Sequence, residues 1–171
     1  HTALRRQRQM CIRDRFIHVS AIGASKDSKS KYQQSKFLGE EKALSNFDKT
    51  VIIRPSVVIG NEDNFTNLFA KLSLSPIIPV VNVNYKFEPI FVNDVARAIL
   101  KAIETKNNEG KIYELGGGRV ISFGDMIKLI LSTIGKKRIV ADVPMTLAKI
   151  QSSLLSILPI DPIITKDQCL I

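Results

Sequence analysis

The chain has 171 residues, enough for one ordinary domain or for part of a larger one. Its hydrophobic fraction of 44% and charged fraction of 24% are typical of soluble domains, and no apolar run approaches the ~18 residues of a membrane span. The two cysteines, Cys11 and Cys169, lie near opposite ends without a spacing partner. They indicate neither a disulfide framework nor a metal site, and they fit a reducing compartment.

The net charge of +9 does not point to a nucleic-acid ligand. Residues 1–15 hold five Arg and one Asp and so supply four of the nine charges. The others are spread among acidic neighbours, without the Lys/Arg run and interleaved aromatics of a nucleic-acid surface. We therefore expect an ordinary solvated basic surface and no nucleic-acid partner.

The first fifteen residues differ from the remainder of the chain. Residues 1–15 show no strand or helix period and lack the apolar stretch of a signal peptide. The Arg/Gln-dense run 5–15 resembles translated sequencing-adaptor sequence. We expect residues 1–15 to be a non-native or disordered leader whose deletion leaves the melting temperature unchanged.

From Phe16 the chain becomes regular. The apolar run 16–20 predicts a buried strand covered on both faces, as in a parallel sheet, with His18 as a satisfied core or rim residue. A Gly/Ser/Lys-rich loop at 23–31 leads to a helix that runs to about Asn46. An apolar stripe should face the core from this helix, and two carboxylates should face solvent. The stripe is Phe37, Leu44 and Phe47, and the carboxylates are Glu40 and Glu41.

The middle of the chain alternates strand and helix signals. Apolar runs predict strands at 50–54, 56–60 and 87–92, a short helix at 65–72 and a proline turn at 76–79. A helix capped by Asn93 or Asp94 should follow. Its helically spaced apolar positions are Val95, Ile99, Ala102 and Ile103.

The last third continues the pattern. A strand is predicted at 111–115, and Ser122 with Asp125 resembles a capping box for a helix that ends at Gly135. The segment 144–159 is predicted to be a helix with an apolar stripe, which indicates the core of a small C-terminal lobe or, as the alternative, docking to a membrane edge or partner subunit. Alternating strands and helices predict an α/β fold with a parallel sheet and crossover helices.

The pair Tyr32 and Lys36 is the main chemical feature. Four residues apart on a helix, the phenol and the ammonium lie on one face, where the positive charge would favour the phenolate. Such a tyrosine can transfer a proton at a carbon–oxygen bond. Ser20 and residues 55–57 end two strands on either side of this helix in the chain, and ligands of such folds bind at that edge.

The glycine run 116–118 is a weaker candidate. It follows a strand and precedes a helix, but it lacks the G-x-G-x-x-G spacing of a dinucleotide-binding loop. We expect a plain loop rather than a phosphate cradle.

Several motifs together carry a family resemblance. Val19-Ser20-Ala21, Tyr32-x-x-x-Lys36, the run Arg-Pro-Ser-Val-Val-Ile-Gly at 54–60 and Phe-Val-Asn-Asp-Val-Ala at 91–96 resemble the extended short-chain dehydrogenases. The loop 20–24 and the tail 164–168 are similar to the atypical branch that contains the dehydrogenase-like accessory subunit of respiratory complex I and its bacterial relatives.

The resemblance implies an architecture and a cofactor. Residues 16–115 would be the C-terminal half of a Rossmann-like NAD(P)-binding domain, with a substrate-lobe segment inserted at about 57–88, and residues 116–171 a small C-terminal lobe. The pyrophosphate-binding half is absent from this chain. NAD or NADP would lie beside Tyr32 and Lys36, with Lys36 at the ribose hydroxyls. The residues expected to line the nicotinamide pocket are Pro55, Ser56, Val57 and Val58.

The resemblance leaves the third catalytic position open between Ser20 and Ala21, since a one-residue slip on a strand exchanges its two faces. Loss of that hydroxyl would weaken hydride chemistry. The implied function is a complex I accessory-type protein that holds the nucleotide mainly as a structural ligand, cytoplasmic in a bacterium and peripheral to its inner membrane. The alternative is an active NAD(P)-dependent oxidoreductase or nucleotide-sugar epimerase/dehydratase with Tyr32 as general acid/base.

Overall fold

The computed structural model describes residues 15–143. In chain order the helices and strands are β1 (Phe16–Val19), α1 (Lys31–Asn46), β2 (Thr50–Pro55), β3 (Val58–Ile59), α2 (Asn64–Leu72), β4 (Ile77–Val81), β5 (Lys86–Phe87), β6 (Ile90–Phe91), α3 (Val92–Glu104), β7 (Ile112–Leu115), β8 (Ile121–Ser122), α4 (Phe123–Thr133) and β9 (Ile139–Val143). The predicted helix at 144–159, the tail motif at 164–168 and both cysteines lie outside the described residues.

The described chain forms two compact units. The first contains residues 15–56 and 92–116, and the second contains residues 57–91 and 117–143. The segment after β2 and the region after the glycine run therefore share one unit.

The first unit is a three-layer α/β arrangement. Its sheet has the order β1-β2-β7 with all strands parallel, which confirms the predicted fold class. Alternate residues of β2 face opposite layers, as a strand requires. Val51 and Ile53 pack against Ala102 of α3, whereas the Thr50 hydroxyl donates to two carbonyls at the end of α1. The sheet thus lies between α1 and α3.

Strand β1 is more exposed than predicted. Phe16 is 46% and Val19 is 43% exposed, so the expectation of burial on both faces is wrong for these residues. Within the described part of the chain β1 pairs with β2 alone, which makes it an edge strand. An apolar run by itself does not reveal whether a strand lies at an edge or in the centre of a sheet.

The second unit has its own core. Helices α2 and α4 pack with the parallel pair β4 and β9, and β5 and β8 form an antiparallel pair. Four phenylalanine rings meet mostly edge to face, with centroids 5.3–6.2 Å apart, which is favourable for aromatic pairs. These are Phe65, Phe69, Phe87 and Phe123.

The turn predicted at 76–79 is wrong for residues 77–79, which belong to strand β4, whereas Pro76 lies in the bend before it. Its partner β9 lies far along the chain, and Pro79 is opposite Ala141. Pro79 is exposed, and β4 pairs with β9 alone among residues 15–143. Strand β4 is therefore an edge strand of the described pair, where a proline is tolerated. Long-range pairing of this kind leaves little trace in local sequence.

Two helix starts illustrate what local sequence determines. For α4 the capping prediction is confirmed, since the Ser122 Oγ accepts from the Asp125 N–H at 3.1 Å. For α3 the helix begins at Val92 rather than after Asn93 or Asp94, and the strand predicted at 87–92 is two short strands.

Arg15 closes the C-terminal end of α3. Its Nη1 donates to the carbonyls of Ala102 at 2.7 Å, Ile103 at 2.6 Å and Thr105 at 2.5 Å, and its Nη2 pairs with Glu109 at 3.1 Å. A guanidinium at this position satisfies carbonyls that the helix leaves unpaired and complements the negative end of its dipole. Because Arg15 has this structural role, the leader hypothesis now concerns residues 1–14.

We expect the Arg15→Ala variant to lose about 1–2 kcal/mol of stability, from the lost hydrogen bonds to the α3 carbonyls. That corresponds to a fall of a few degrees in the melting temperature. Deletion of residues 1–14 should leave the melting temperature unchanged. Circular dichroism melts of the three proteins check both statements, and an equal loss in the deletion would contradict the leader hypothesis.

Candidate functional site

The start of helix α1 is fixed by its own loop. Ser30 is buried at the N-cap, and its Oγ accepts from the Gln33 N–H at 3.4 Å. The Gln34 Nε2 donates to the Ser28 carbonyl at 2.7 Å, and the Ser28 Oγ accepts from the Ser30 N–H at 3.0 Å. Capping of this kind determines where the first turn begins, and therefore where Tyr32 lies.

The structure places Tyr32 and Lys36 together on α1. The Lys36 Nζ lies 5.7 Å from the centroid of the Tyr32 ring, within the range of a cation–π contact. Tyr32 is 45% exposed, so this residue lies at the surface of the first unit rather than in its core. The arrangement offers a ligand a hydroxyl and a positive charge side by side.

Three chain segments leave the sheet at the edge where α1 begins. The Ser20 N–H donates to Ile53 at 2.7 Å, Ile22 donates to the Pro55 carbonyl at 3.2 Å, and Ser56 donates to Leu115 at 2.9 Å. The sheet hydrogen bonding thus continues past the ends of β1 and β2 and fixes the backbone on either side of Ala21 and at Pro55 and Ser56.

The loop after β1 passes directly against the first turn of α1. Gly23 has φ +82°, and a Cβ there would lie 2.5 Å from the Gln33 Nε2. Gln33 is the neighbour of Tyr32 in the chain. The loop that follows Ser20 and the turn that carries Tyr32 are therefore adjacent at one edge of the sheet.

Two predicted lining residues belong to the second unit. Val57 and Val58 are half-buried, the Val57 carbonyl accepts from Ile90 at 2.9 Å, and Val58 pairs with Ile90 in the β3–β6 ladder. The candidates that the structure brings to the edge of the first unit are therefore Ser20, Tyr32, Lys36, Pro55 and Ser56.

The residue that sequence reasoning missed is Glu40. It is 2% exposed, and Arg54 donates to it twice, from Nε to Oε1 at 2.8 Å and from Nη2 to Oε2 at 2.7 Å. The expectation that Glu40 faces solvent is wrong, whereas Glu41 is exposed as expected. Periodicity treats every carboxylate as a surface residue. The available signal was Arg54 itself, a single charge in the apolar run 50–54, which needs a partner when buried.

The charges around Glu40 determine its protonation. Burial raises the pKa of Glu40, but the hydrogen bonds and charge of Arg54, the hydroxyl of Ser20 and the charge of His18 outweigh burial and leave the pKa below its usual value. Glu40 in turn raises the pKa of Arg54. Arg54 also pairs with Glu114 on β7 at 3.3 Å. The guanidinium therefore joins α1 to two strands of the sheet.

Ser20 faces this ion pair. It is 4% exposed, and its Oγ makes no hydrogen bond of standard geometry within residues 15–143, although it is close enough to Glu40 to lower that pKa. The Nε2 of His18 is also buried without a partner among those residues, so the expectation of a satisfied histidine is wrong. His18 and Ser20 alternate along one face of β1, and that face is turned toward α1.

The glycine run does not offer a free anion site. The Gly118 N–H donates to the Glu88 Oε1 at 2.6 Å, and a Cβ at Gly117 would collide with the Pro89 carbonyl. A carboxylate of the chain already occupies the position that a phosphate oxygen would need. The run behaves as the plain loop that the spacing predicted.

Other site classes find no support in the described part of the chain. Over residues 15–143, no three side chains of His, Cys, Asp or Glu come together as a metal site would require. Over the same range, no helix has the length and apolar character to cross a membrane.

Comparison with known proteins identifies relatives. The RmlD substrate-binding domain family matches residues 24–157. The mitochondrial "NADH dehydrogenase [ubiquinone] 1 alpha subcomplex subunit 9" of Mus musculus is 32% identical over 157 residues, which are 91% of this chain and 42% of the mouse protein. Its Dictyostelium discoideum counterpart is 35% identical over 119 residues, 69% of this chain and 33% of that protein. The chain thus spans less than half the length of these relatives.

Solved structures with the same fold include a reductase and an epimerase whose names give sugar-nucleotide substrates. A dTDP-4-dehydrorhamnose reductase from Bacillus anthracis in complex with NADP superimposes with a TM-score of 0.66 at 22% identity, covering 78% of this chain and 52% of the reductase. A UDP-glucuronic acid 4-epimerase from Bacillus cereus in complex with NAD gives 0.63 at 23% identity, covering 77% and 50%. At this identity the likeness shows the fold alone.

We expect Glu40→Gln to destabilise the chain by about 3 kcal/mol near pH 7, since it leaves the partly buried Arg54 without its bidentate carboxylate and with Glu114 as its remaining charged partner. The folded pKa of Glu40 is depressed, so the stability it contributes is present above its unfolded pKa and is lost as pH falls through the folded value. The difference in urea midpoint between wild type and variant should therefore be largest above about pH 5 and should narrow toward pH 3.

Other shifted carboxylates cancel in this comparison because both proteins contain them. Asp63 and Asp125 also have lowered pKa values, but neither contacts Glu40. His18, Ser20 and Arg54 are the groups that face Glu40, and all three remain in the variant. A difference that stays constant from pH 7 to pH 3 would contradict an ionised Glu40 in the folded chain.

Proposed function

Because the chain belongs to the RmlD substrate-binding domain family, we propose that it holds the nicotinamide end of NAD or NADP at the carboxyl edge of the β1-β2-β7 sheet, mainly as a structural ligand. The placement of Tyr32 beside Lys36 on an exposed face carries this proposal. It agrees with the resemblance to short-chain dehydrogenases found in the sequence, and the neighbours that bind NADP or NAD share the fold.

The residues present fit one half of the cofactor. The Lys36 ammonium would donate to the nicotinamide ribose hydroxyls, the Tyr32 hydroxyl would stand beside the ring, and Pro55 and Ser56 would line the pocket. Val57 and Val58 follow directly in the chain as the remaining predicted lining residues. The adenosine and pyrophosphate half has no matching loop in residues 15–143, since Glu88 occupies the N–H of Gly118.

A structural rather than catalytic role is supported by the third position. A bound nicotinamide would supply hydride chemistry, but that chemistry also needs a donor that holds the substrate oxygen. Ser20, the predicted donor, is buried beside Glu40, and Ala21 has no hydroxyl. We therefore propose that a ligand is held at this edge without efficient turnover.

The relatives provide the partner hypothesis. Their names place them in mitochondria as NADH dehydrogenase subunits. We propose that this protein has the corresponding role in a bacterium, where it would be cytoplasmic and would associate with respiratory complex I at the edge of the inner membrane.

One observation favours a second function. An exposed phenol beside an ammonium is the arrangement that an acid/base tyrosine needs, and the fold neighbours include a reductase and an epimerase. The alternative is therefore an NAD(P)-dependent oxidoreductase or nucleotide-sugar epimerase/dehydratase in which Tyr32 transfers the proton.

Reduced nicotinamide mononucleotide tests the nicotinamide site, because it is the half of the cofactor that these residues would contact. In ¹⁵N-NMR titrations of the full chain we expect amide shifts at 20–23, 32–36 and 55–56. Lys36→Met should weaken binding about tenfold or more, through the lost charged hydrogen bonds to the ribose. Lys31→Met is the matched control on the same helix.

AMP is the control ligand and should produce no shift at these amides. Shifts with AMP alone, or binding that Lys36→Met leaves unchanged, would refute the proposed site.

The two functions separate on turnover and association. Immunoprecipitation from membranes of the organism that encodes the chain should recover respiratory complex I subunits if the accessory role holds, with Tyr32→Phe recovered equally. Turnover of a sugar nucleotide that Tyr32→Phe abolishes would establish the alternative instead.

A further inference from the structure

The Glu40–Arg54 ion pair lies between the two chain segments that carry the candidate site. Glu40 is one helical turn beyond Lys36 on α1, and Arg54 directly precedes Pro55. A displacement of this pair would therefore move Lys36 relative to the end of β2. Polar links between α1 and β2 include Glu40–Arg54 and the Thr50 hydrogen bonds. The Glu40–Arg54 pair is the one nearer in the chain to Lys36.

The Glu40–Arg54 pair is bidentate. The two parallel hydrogen bonds of 2.8 and 2.7 Å use both carboxylate oxygens, and a guanidinium fork accepts that arrangement in one orientation. Arg54 is held from the other side by Glu114 of β7. Arg54 of β2 thus links Glu40 on α1 to Glu114 on β7.

The helix also lies close to the sheet at this point. A Cβ on Gly39 would lie 3.2 Å from the His18 Nε2, so the absence of a side chain allows the near approach. At the other end of α1, Thr50 holds the helix through two short hydrogen bonds to Ala43 and Phe47. Both contacts join α1 to the sheet, and of the two the Glu40 contact is nearer in the chain to Tyr32 and Lys36.

We propose that the Glu40–Arg54 pair positions Tyr32 and Lys36 against the end of β2 for nicotinamide binding, and that Ser20 acts on the site through Glu40 rather than by touching the ligand. The proposal rests on the proposed function. Ser20 is a positioning residue in this account because its side chain is buried two residues beyond His18, on the face of β1 that lies against α1 at Gly39.

A purely structural ion pair would predict the same loss of stability, so the test needs a readout that stability alone does not move. The dissociation constant of reduced nicotinamide mononucleotide, measured by ¹⁵N-NMR on the folded full chain, is that readout. Glu40→Gln should raise this constant about tenfold, since misplaced binding groups lose affinity steeply.

Thr50→Val is the matched control. It removes the two hydrogen bonds at the far end of α1 and lowers the urea midpoint, but it should leave the dissociation constant within about twofold of wild type. Arg54→Lys is the second variant in case Glu40→Gln fails to fold. It keeps the charge, loses the fork and should also weaken binding.

A double-mutant cycle separates the two roles of Ser20. If Ser20 acts through Glu40, Ser20→Ala weakens binding in the wild-type background and adds nothing in the Glu40→Gln background. Equal effects in both backgrounds would show that Ser20 contacts the ligand directly and would overturn that part of the proposal. Unchanged affinity in a folded Glu40→Gln or Arg54→Lys variant, or equal weakening by Thr50→Val, would overturn the positioning role.

Failure of the proposed function has a different signature. If the wild-type chain shows no amide shift with the mononucleotide, the nicotinamide site is refuted. The role of the ion pair in positioning Tyr32 and Lys36 is then tested by comparing the amide spectra of the ligand-free variants with wild type. Glu40→Gln should still shift the amides of 32–36 and 55–56, while Thr50→Val should not. Absence of those shifts would refute the positioning role as well.

Discussion

The bidentate hydrogen bonds from Arg54 to Glu40 are the interaction on which the first unit depends. They join the helix that carries Tyr32 and Lys36 to the strand that ends at Pro55. A buried ion pair is weak as a source of net stability, because desolvation offsets much of the Coulomb attraction. Its value here is geometric, since one arrangement of helix and strand satisfies both charges and others leave a charge buried alone.

That constraint explains several neighbouring features together. Gly39 lets α1 approach β1, Glu114 holds the second side of the guanidinium, and Ser20 turns its hydroxyl toward the carboxylate. Around one buried carboxylate they form a polar layer between α1 and the sheet, one helical turn beyond Lys36.

The chain covers only part of the length of each relative that it matches. This chain covers 33% and 42% of the two NADH dehydrogenase subunits and 52% and 50% of the two sugar-nucleotide enzymes. The described chain places Lys36 beside the Tyr32 ring on α1, and the Gly118 N–H of the glycine run donates to Glu88.

The sequence by itself determined the order and type of most elements, the Ser122 cap and the spacing of Tyr32 and Lys36, because these depend on residues a few positions apart. It did not determine the burial of Glu40, the edge position of β1 or the strand at 77–81. The burial of Glu40 depends on Arg54, and the strand at 77–81 depends on β9, and both partners are distant in the chain. Strand β1 is at an edge of the described sheet because β2 alone pairs with it there. Local periodicity assigns a carboxylate to solvent and a proline pair to a turn, and only long-range pairing in the tertiary structure reverses those assignments.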